Sequence, residues 1–274
     1  SQERMVLSVS PKNIKALLKV FADEDVEATV IGEFTGNKRL ELFYHDCQVC
    51  DLDMAFLYDG NPRITKKARW VQKKGHDPKA PKNKNFTQDL CEVLAHYNVC
   101  SKEWVIRQYD HEVQGTSVIK PLVGIDCDGP SDASVIAPKM GLKRGVAVSN
   151  GINVRFGMID PFWMAASCID EALRQIIAVG GDLDKIAILD NFCWGNPDKP
   201  DRLGELVRAA QGCYKASVGY QVPFISGKDS LYNEYAQGNK TIAIPGTLLI
   251  SAVGIIKDVG KTVTMDFKSP GNLI

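Results

Sequence analysis

The sequence is short of several things, and each shortage removes a class of protein. It has no net charge, because 33 Lys and Arg balance 33 Asp and Glu. A general nucleic-acid or membrane-surface binder would carry a basic excess, so no nucleic-acid or membrane partner is expected. No apolar run approaches the roughly 20 residues that a bilayer-spanning helix needs. No signal-peptide pattern stands at residue 1. Cys47 and Cys50 have CxxC spacing, but no second CxxC completes a four-ligand zinc site, and a strand is the better reading of that stretch. The eight cysteines follow no disulfide framework in a chain too long to need one, which points to reduced thiols and a cytoplasmic protein.

What is present suits a globular protein: 274 residues, 45% hydrophobic, enough for one large domain or two smaller ones. The chain opens on Ser1 rather than Met and stops in "TMDFKSPGNLI", where a new apolar stretch begins. A fragment of a longer protein is expected.

Residues 5–58 read as a βαββ unit, half of a ferredoxin-like arrangement that needs a partner layer. "MVLSV" is a short strand. Ser10 and Pro11 open a helix, with Ile14, Leu17, Leu18 and Phe21 on one face. "EATVIGEF" and "RLELFY" are strands around the hairpin signal "TGNK", and "VCDLDMAFLY" is a further strand. Between Arg63 and Lys84, nine Lys or Arg stand against one Asp, with Trp70 the only aromatic, which suggests a solvated linker. "TQDLCEVLAHYNV" then reads as a helix capped by Thr87.

From residue 104 a second lobe begins. "SVIKPLVGI", "ASVIAPK" and "GVAVSNG" read as strands. Asp160 and Pro161 supply the cap and first turn of a helix whose apolar face is Met164, Cys168, Ile169, Ala172, Leu173, Ile176 and Ile177, ended by Gly180 and Gly181. "KIAILD" is a buried strand. Pro200 starts a helix through Leu203, Leu206, Val207, Ala210 and Tyr214, and "VPFIS" is another buried strand. Strand, helix, strand implies a crossover between parallel strands. Asp190–Asn191 and Gly227-Lys228-Asp229 would then emerge together at the carboxyl edge of the sheet, where open α/β sheets bind ligands.

Those residues have the chemistry of a nucleotide site. Gly227 lets backbone approach an anion, Lys228 is a compact cation suited to phosphate, and Ser230 can donate to a phosphate or ribose. Asp190 and Asp229 can hold Mg²⁺. The stretch is not a Walker A loop, since Val222 stands where its first glycine would be, and a polar turn after a buried strand remains an alternative. "DNFCWGNPDKP" adds Asn191, Trp194, Gly195, Asn196 and Pro197. His111 is a candidate acid or base, although no nucleophile is paired with it.

Taken together, "SQERM", "DVEATVIGEFT", "RQYDHEVQG", "DPFWMAASCIDEALRQIIAVGG", "DNFCWGNPDKP" and "SGKDSLYNE" resemble the phosphoribosylformylglycinamidine synthase family, in the family's order and over nearly the whole chain. The resemblance implies an α/β (α+β) fold of aminoimidazole ribonucleotide synthetase-like lobes. Residues 1–60 would end a first C-terminal-type lobe, and 61–103 would be a basic linker and helix. Residues 104–255 would form a second, barrel-forming N-terminal-type lobe that binds nucleotide, and 256–274 would start a second C-terminal-type lobe. It further implies ATP-dependent amidation of formylglycinamide ribonucleotide with glutamine-derived ammonia, the fourth step of purine biosynthesis. The implied cofactors are ATP and Mg²⁺. The implied partners are a glutaminase subunit or domain and the sister half of the same protein, and an uncovered barrel edge would favour a homodimer of the fragment.

By position, the resemblance assigns Asp190 and Gly227 to nucleotide and Ser230 to substrate. Ser1 and Gln2 are the remainder of a Glu-Ser-Gln substrate motif. Lys228 replaces a metal-binding Asn of the small form of the enzyme, as in the large single-chain form, and leaves Asp229 as the nearest carboxylate for the metal. The family's catalytic His belongs to the missing first half, so the fragment alone is expected to be inactive. A non-catalytic pairing lobe and an ATP pyrophosphatase-like enzyme are the competing readings.

Overall fold

The computed structural model describes residues 4–72, 75, 77–79, 82, 85–108 and 111–273. Ser1 and Gln2 lie outside these. The chain divides into two compact units, Ser1–Thr65 and Lys66–Ile274.

In the first unit a short 3₁₀ turn at Pro11–Asn13 leads into helix α1 (Ile14–Asp23). Ile14, Leu17, Leu18 and Phe21 are its half-buried positions, as their spacing predicts. Strands β1 (Arg39–Tyr44) and β2 (Cys47–Asp53) form an antiparallel hairpin. "MVLSV" and "EATVIGEF" are not strands. An extended apolar run becomes a strand only when a neighbour takes its backbone hydrogen bonds, and among the described residues no strand pairs with these two runs. "VCDLDMAFLY" is half strand: Asp53 accepts a hydrogen bond from Ala55 N (2.7 Å) and starts helix α2 (Met54–Asp59).

In the second unit, helix α3 (Phe86–Ala95) is capped by Asn85, whose side chain accepts from Gln88 N, rather than by Thr87. A short α4 (Glu103–Ile106) follows. Strand β3 (Ser117–Ile119) is separated by Lys120 and Pro121 from β4 (Leu122–Val123), which pairs with β5 (Gly129–Pro130). Then come β6 (Ser134–Ile136), β7 (Gly145–Ile152), short α5 (Val154–Gly157), α6 (Pro161–Ala178), β8 (Ile186–Cys193) and α7 (Pro200–Tyr220). Strand β9 (Phe224–Ser230), the hairpin β10 (Glu234–Gln237) and β11 (Lys240–Ala243), and β12 (Thr247–Ile256) complete it.

Six strands make one mixed sheet in the order β3-β6-β7-β12-β8-β9. Strand β12 is central and antiparallel to both β7 and β8. Strands β8 and β9, joined through α7, are parallel as expected, with β9 at the edge. Their register carries a bulge: Ile188 faces Phe224 and Leu189 faces Ser226, so Ile225 is the extra residue.

One face of this sheet is the core. Ile188, Leu248, Ile250, Ala252, Val135 and Ala147 are fully buried and cluster with Met164, Cys168, Ile169, Ala172 and Ile176 of α6 and Ala209 and Cys213 of α7. The alternate strand positions stand on the other face, where Ile136, Val148, Ile152 and Ile255 are exposed. Helix α6 keeps its expected cap, Asp160 to Phe162 N at 2.9 Å, and its expected face, except that Ile177 is exposed. Helix α7 departs further. Its buried face is Gly204, Ala209, Gly212 and Cys213, whereas Val207, Ala210 and Tyr214 are exposed. Small residues let this helix lie close against its neighbours, and the larger residues are left outside.

The basic segment is not wholly solvated. Arg69 N–H donates to Pro200 O (2.8 Å), and the backbone at Arg69 and Trp70 lies in a notch at Gly204, where a Cβ would come within 2.6 Å of Trp70 N. Arg208 stacks on Trp70 (4.3 Å to the ring centroid) and forms a two-pronged pair with Asp160 (3.0 and 2.8 Å). The Gly204 position costs helix propensity of about 1 kcal/mol, and this close approach is what it permits.

Candidate functional site

Strand pairing brings the two polar motifs together. Asp190 sits opposite Gly227, Asn191 opposite Lys228, Phe192 opposite Asp229 and Cys193 opposite Ser230. These residues belong to the strands themselves, because β8 runs on to Cys193 and β9 to Ser230. The Asp190 carboxylate occupies the space that a side chain at 227 would need: a Cβ there would collide with Oδ1 and lie 3.0 Å from Cγ. Glycine at 227 therefore makes room for the carboxylate.

Paired residues of parallel strands share a face, and successive residues alternate. Asp190, Gly227 and Asp229 accordingly lie on the helix-covered side, and Asn191, Lys228 and Ser230 on the other. Lys228 Nζ donates to Ser230 Oγ on that second side. The candidate residues gather at one edge of the sheet, divided between its faces.

The electrostatics follow this division. Asp190 is half-buried; burial and then the nearby Asp229 charge raise its pKa above the ordinary aspartate value, against the Lys228 backbone N–H, which favours the charged form. Beside it, the Cys213 thiol of α7 is pushed up to about 12, by burial first and then by the Asp190 charge. Two carboxylates in mutual repulsion form a place where added positive charge is favourable. Among the described residues no cluster of three or more His, Cys, Asp or Glu could hold a metal. A cation here would rely on Asp190 and Asp229 together with water or ligand oxygens, as Mg²⁺ commonly does.

Beyond the strands, the "WGNPDK" turn is sewn to "SLYNE". Trp194 N–H donates to Ser230 O (2.8 Å), and Asn233 N–H to Trp194 O (2.8 Å). Trp194 is buried, with Nε1 donating to Arg202 O of α7 (3.1 Å). The Glu234 side chain, 6% exposed, accepts from Asn196 N (3.0 Å) and from Lys199 Nζ (2.9 Å). The Lys199 hydrogen bond and then that of Asn196 hold the Glu234 carboxyl below its ordinary pKa, against desolvation. Residue-by-residue reading missed Glu234. Its signal was an acidic residue just after the polar run, at a distance from the turn that only the strand pairing could close. His111 is half-buried and precedes β3 in sequence.

Residues 130–256 match the family model for the AIR synthase related protein, N-terminal domain. Curated relatives extend the likeness to nearly the full chain. The PurL subunit of phosphoribosylformylglycinamidine synthase from Methanocaldococcus jannaschii is 32% identical over 95% of this chain, and that from Ignicoccus hospitalis is 34% identical over 94%. The Deinococcus radiodurans subunit is 31% identical over all of it. The chain is a relative of PurL. It spans about a third of the length of the PurL subunits it matches (34%, 35% and 36%).

Solved PurL structures share the fold. Thermotoga maritima PurL complexed with AMPPCP superposes with a TM-score of 0.62 at 22% identity, covering 93% of this chain and 38% of that one. The same protein complexed with ATP gives 0.60 at 21% identity, covering 96% and 39%. The α/β fold with AIR synthetase-like character expected from the motifs is therefore present. Among the described residues, no helix is long and apolar enough to cross a membrane.

Proposed function

We propose that this chain is the portion of a phosphoribosylformylglycinamidine synthase synthetase subunit that carries one nucleotide-binding lobe. The observation that supports this most is the seating of the Asp190 carboxylate against the side-chain-free Gly227. It joins the two motifs that the family resemblance assigns to nucleotide. PurL of Thermotoga maritima has been solved with ATP and with FGAR, in line with this reading.

In the complete protein, ATP phosphorylates the amide oxygen of formylglycinamide ribonucleotide. Ammonia then adds at that carbon, and phosphate leaves with the oxygen to give the amidine. Asp190, Gly227 and Lys228 serve nucleotide. Ser230, and Ser1 and Gln2 outside the described residues, serve substrate. If Mg²⁺ accompanies the nucleotide, Asp190 and Asp229 are the carboxylates that would hold it, and its charge would relieve their repulsion. Lys228 stands on the opposite face, bonded to Ser230, so its assignment to nucleotide rests on the family resemblance and on its place at the same sheet edge. The chain's own residues bind and orient; the acid–base chemistry belongs to the first half of the protein, outside this chain.

The reading carries partners with it. A glutaminase subunit or domain delivers ammonia, and a PurLQS assembly is known from Thermotoga maritima. The sister half covers the open sheet face that leaves Val148 and Ile152 exposed, and in the isolated chain a second copy could take its place. A cytoplasmic location completes the proposal. The domain scheme is part of the same proposal: 1–60 as the end of a first C-terminal-type lobe, 61–103 as a basic linker and helix, 104–255 as the second N-terminal-type lobe and 256–274 as the start of a second C-terminal-type lobe.

Calorimetric titration of ATP into the intact subunit tests the site. Asp190→Ala and Gly227→Val should each weaken binding about tenfold or more. Unchanged affinity in both would leave a non-catalytic pairing lobe as the better reading. The 274-residue chain, given ATP, ammonium and substrate, should show no turnover, and a normal rate would refute its place as a part.

A further inference from the structure

We propose that Glu234 is a positioning residue for the nucleotide site, acting through the 194–199 turn and the start of α7. The inference rests on the nucleotide reading of Asp190 and Gly227, and Glu234 itself touches neither residue in the bonds described.

The argument starts from what holds the two strands in line. The β8–β9 ladder ends at Cys193 and Ser230. Past it, Trp194 N–H to Ser230 O, Asn233 N–H to Trp194 O and Asn233 Nδ2 to Ser230 O (3.1 Å) continue the seam. Glu234 closes it by taking the Asn196 N–H, while Asn196 Nδ2 donates to Tyr232 OH (3.1 Å). A neutral acceptor would serve the Asn196 N–H as well. A buried carboxylate is costly to keep unless its charge has a use. That use is Lys199, whose Nζ reaches both Glu234 oxygens (2.9 and 3.2 Å).

Lys199 is the cap residue of α7, directly before Pro200. Glu234 therefore ties together the end of β8, the continuation of β9 and the first turn of α7. These three elements surround Asp190: β8 carries it, β9 supplies Gly227 and Asp229, and α7 carries Cys213, whose thiol feels the Asp190 charge. Loosening the tie lets the edge strand β9 drift from β8, and the fit between Asp190 and Gly227 depends on their close approach.

The test uses the intact subunit. Glu234→Ala should raise KM for ATP about tenfold while kcat changes by less than about twofold, the split expected when a residue preorganises ground-state binding. Glu234→Gln, which keeps an acceptor for Asn196 N–H but loses the charge facing Lys199, and Lys199→Met should fall between Glu234→Ala and wild type. Amide exchange at Trp194 and Asn196 should quicken in the same order. If Glu234→Ala lowers the melting temperature but leaves KM for ATP at the wild-type value, Glu234 only supports the fold and the inference is overturned. If Asp190→Ala also leaves ATP affinity unchanged, the nucleotide reading fails and takes this inference with it. Loss in Asp190→Ala without loss in Glu234→Ala removes the inference alone.

Discussion

The hairpin at residues 39–53 and the six-stranded sheet of the second unit use similar alternating sequences to opposite ends. In the sheet, Ile188, Ile250 and Ala252 alternate with polar or half-exposed neighbours and are wholly buried under α6 and α7. In the hairpin, Leu40, Leu42, Phe43 and Val49 are all exposed. Alternation tells which side chains share a face; only a second layer turns that face into a core. A two-stranded hairpin without such a layer is marginal in water, which suits the reading of the first unit as the end of a lobe whose remainder lies elsewhere in the protein.

The largest expected effect tests this contrast directly. Ile250→Ala removes a side chain packed on all sides and should cost about 4 kcal/mol in denaturant unfolding of the second unit. A cost below about 1 kcal/mol would mean the core is looser than its burial implies. Next comes the Asp160–Arg208 pair. Burial raises the Asp160 pKa, but the Arg208 hydrogen bonds, the Phe162 N–H and the Arg208 charge outweigh it and leave the pKa lowered. Its stabilisation is therefore full above the ordinary aspartate pKa of about 3.9 and is lost as pH falls through the lower folded value. Asp160→Asn should cost about 2 kcal/mol at pH 7 and flatten the acid limb of a pH–stability curve; an unchanged acid limb would assign that limb to other groups. Trp70→Ala, which takes away the ring under Arg208, should cost about 1 kcal/mol and speed proteolysis at the neighbouring lysines. Smallest of all, Leu42→Ala in the hairpin should change stability by no more than about 0.5 kcal/mol. A large loss there would break the comparison, because it would reveal a covering layer over the hairpin.

Much of the second unit was legible because its signals are local. Asp160 before Pro161 marks the start of α6, and the buried spacing from Met164 to Ile176 is that of one helix face. The face of α7 was not legible in the same way. Large apolar residues such as Val207 and Tyr214 suggested the inner side, yet close packing selected Gly204, Ala209 and Gly212. In the first unit, "EATVIGEF" has the residue types of a strand, but among the described residues no strand pairs with it. Within the candidate site, the adjacency of Asp190 and Gly227 followed from strand–helix–strand order alone. The division of Lys228 and Asp229 between faces did not, because it depends on one unpaired residue, and no residue type announces a bulge in a parallel pair. Glu234 stayed hidden for a related reason: its partners, Asn196 and Lys199, are 38 and 35 positions away.

That unpaired residue has a consequence for charge. Were Ile225 accommodated in a regular ladder, Asp190 would face Ser226, and position 228 would turn toward the helices in place of 229. The neighbour of the half-buried aspartate would then be an ammonium group, and the two would neutralise each other internally. One inserted isoleucine thus works as a polarity selector: it decides that the charge sharing a face with Asp190 is the acidic Asp229 and not the chain's own ammonium group at 228.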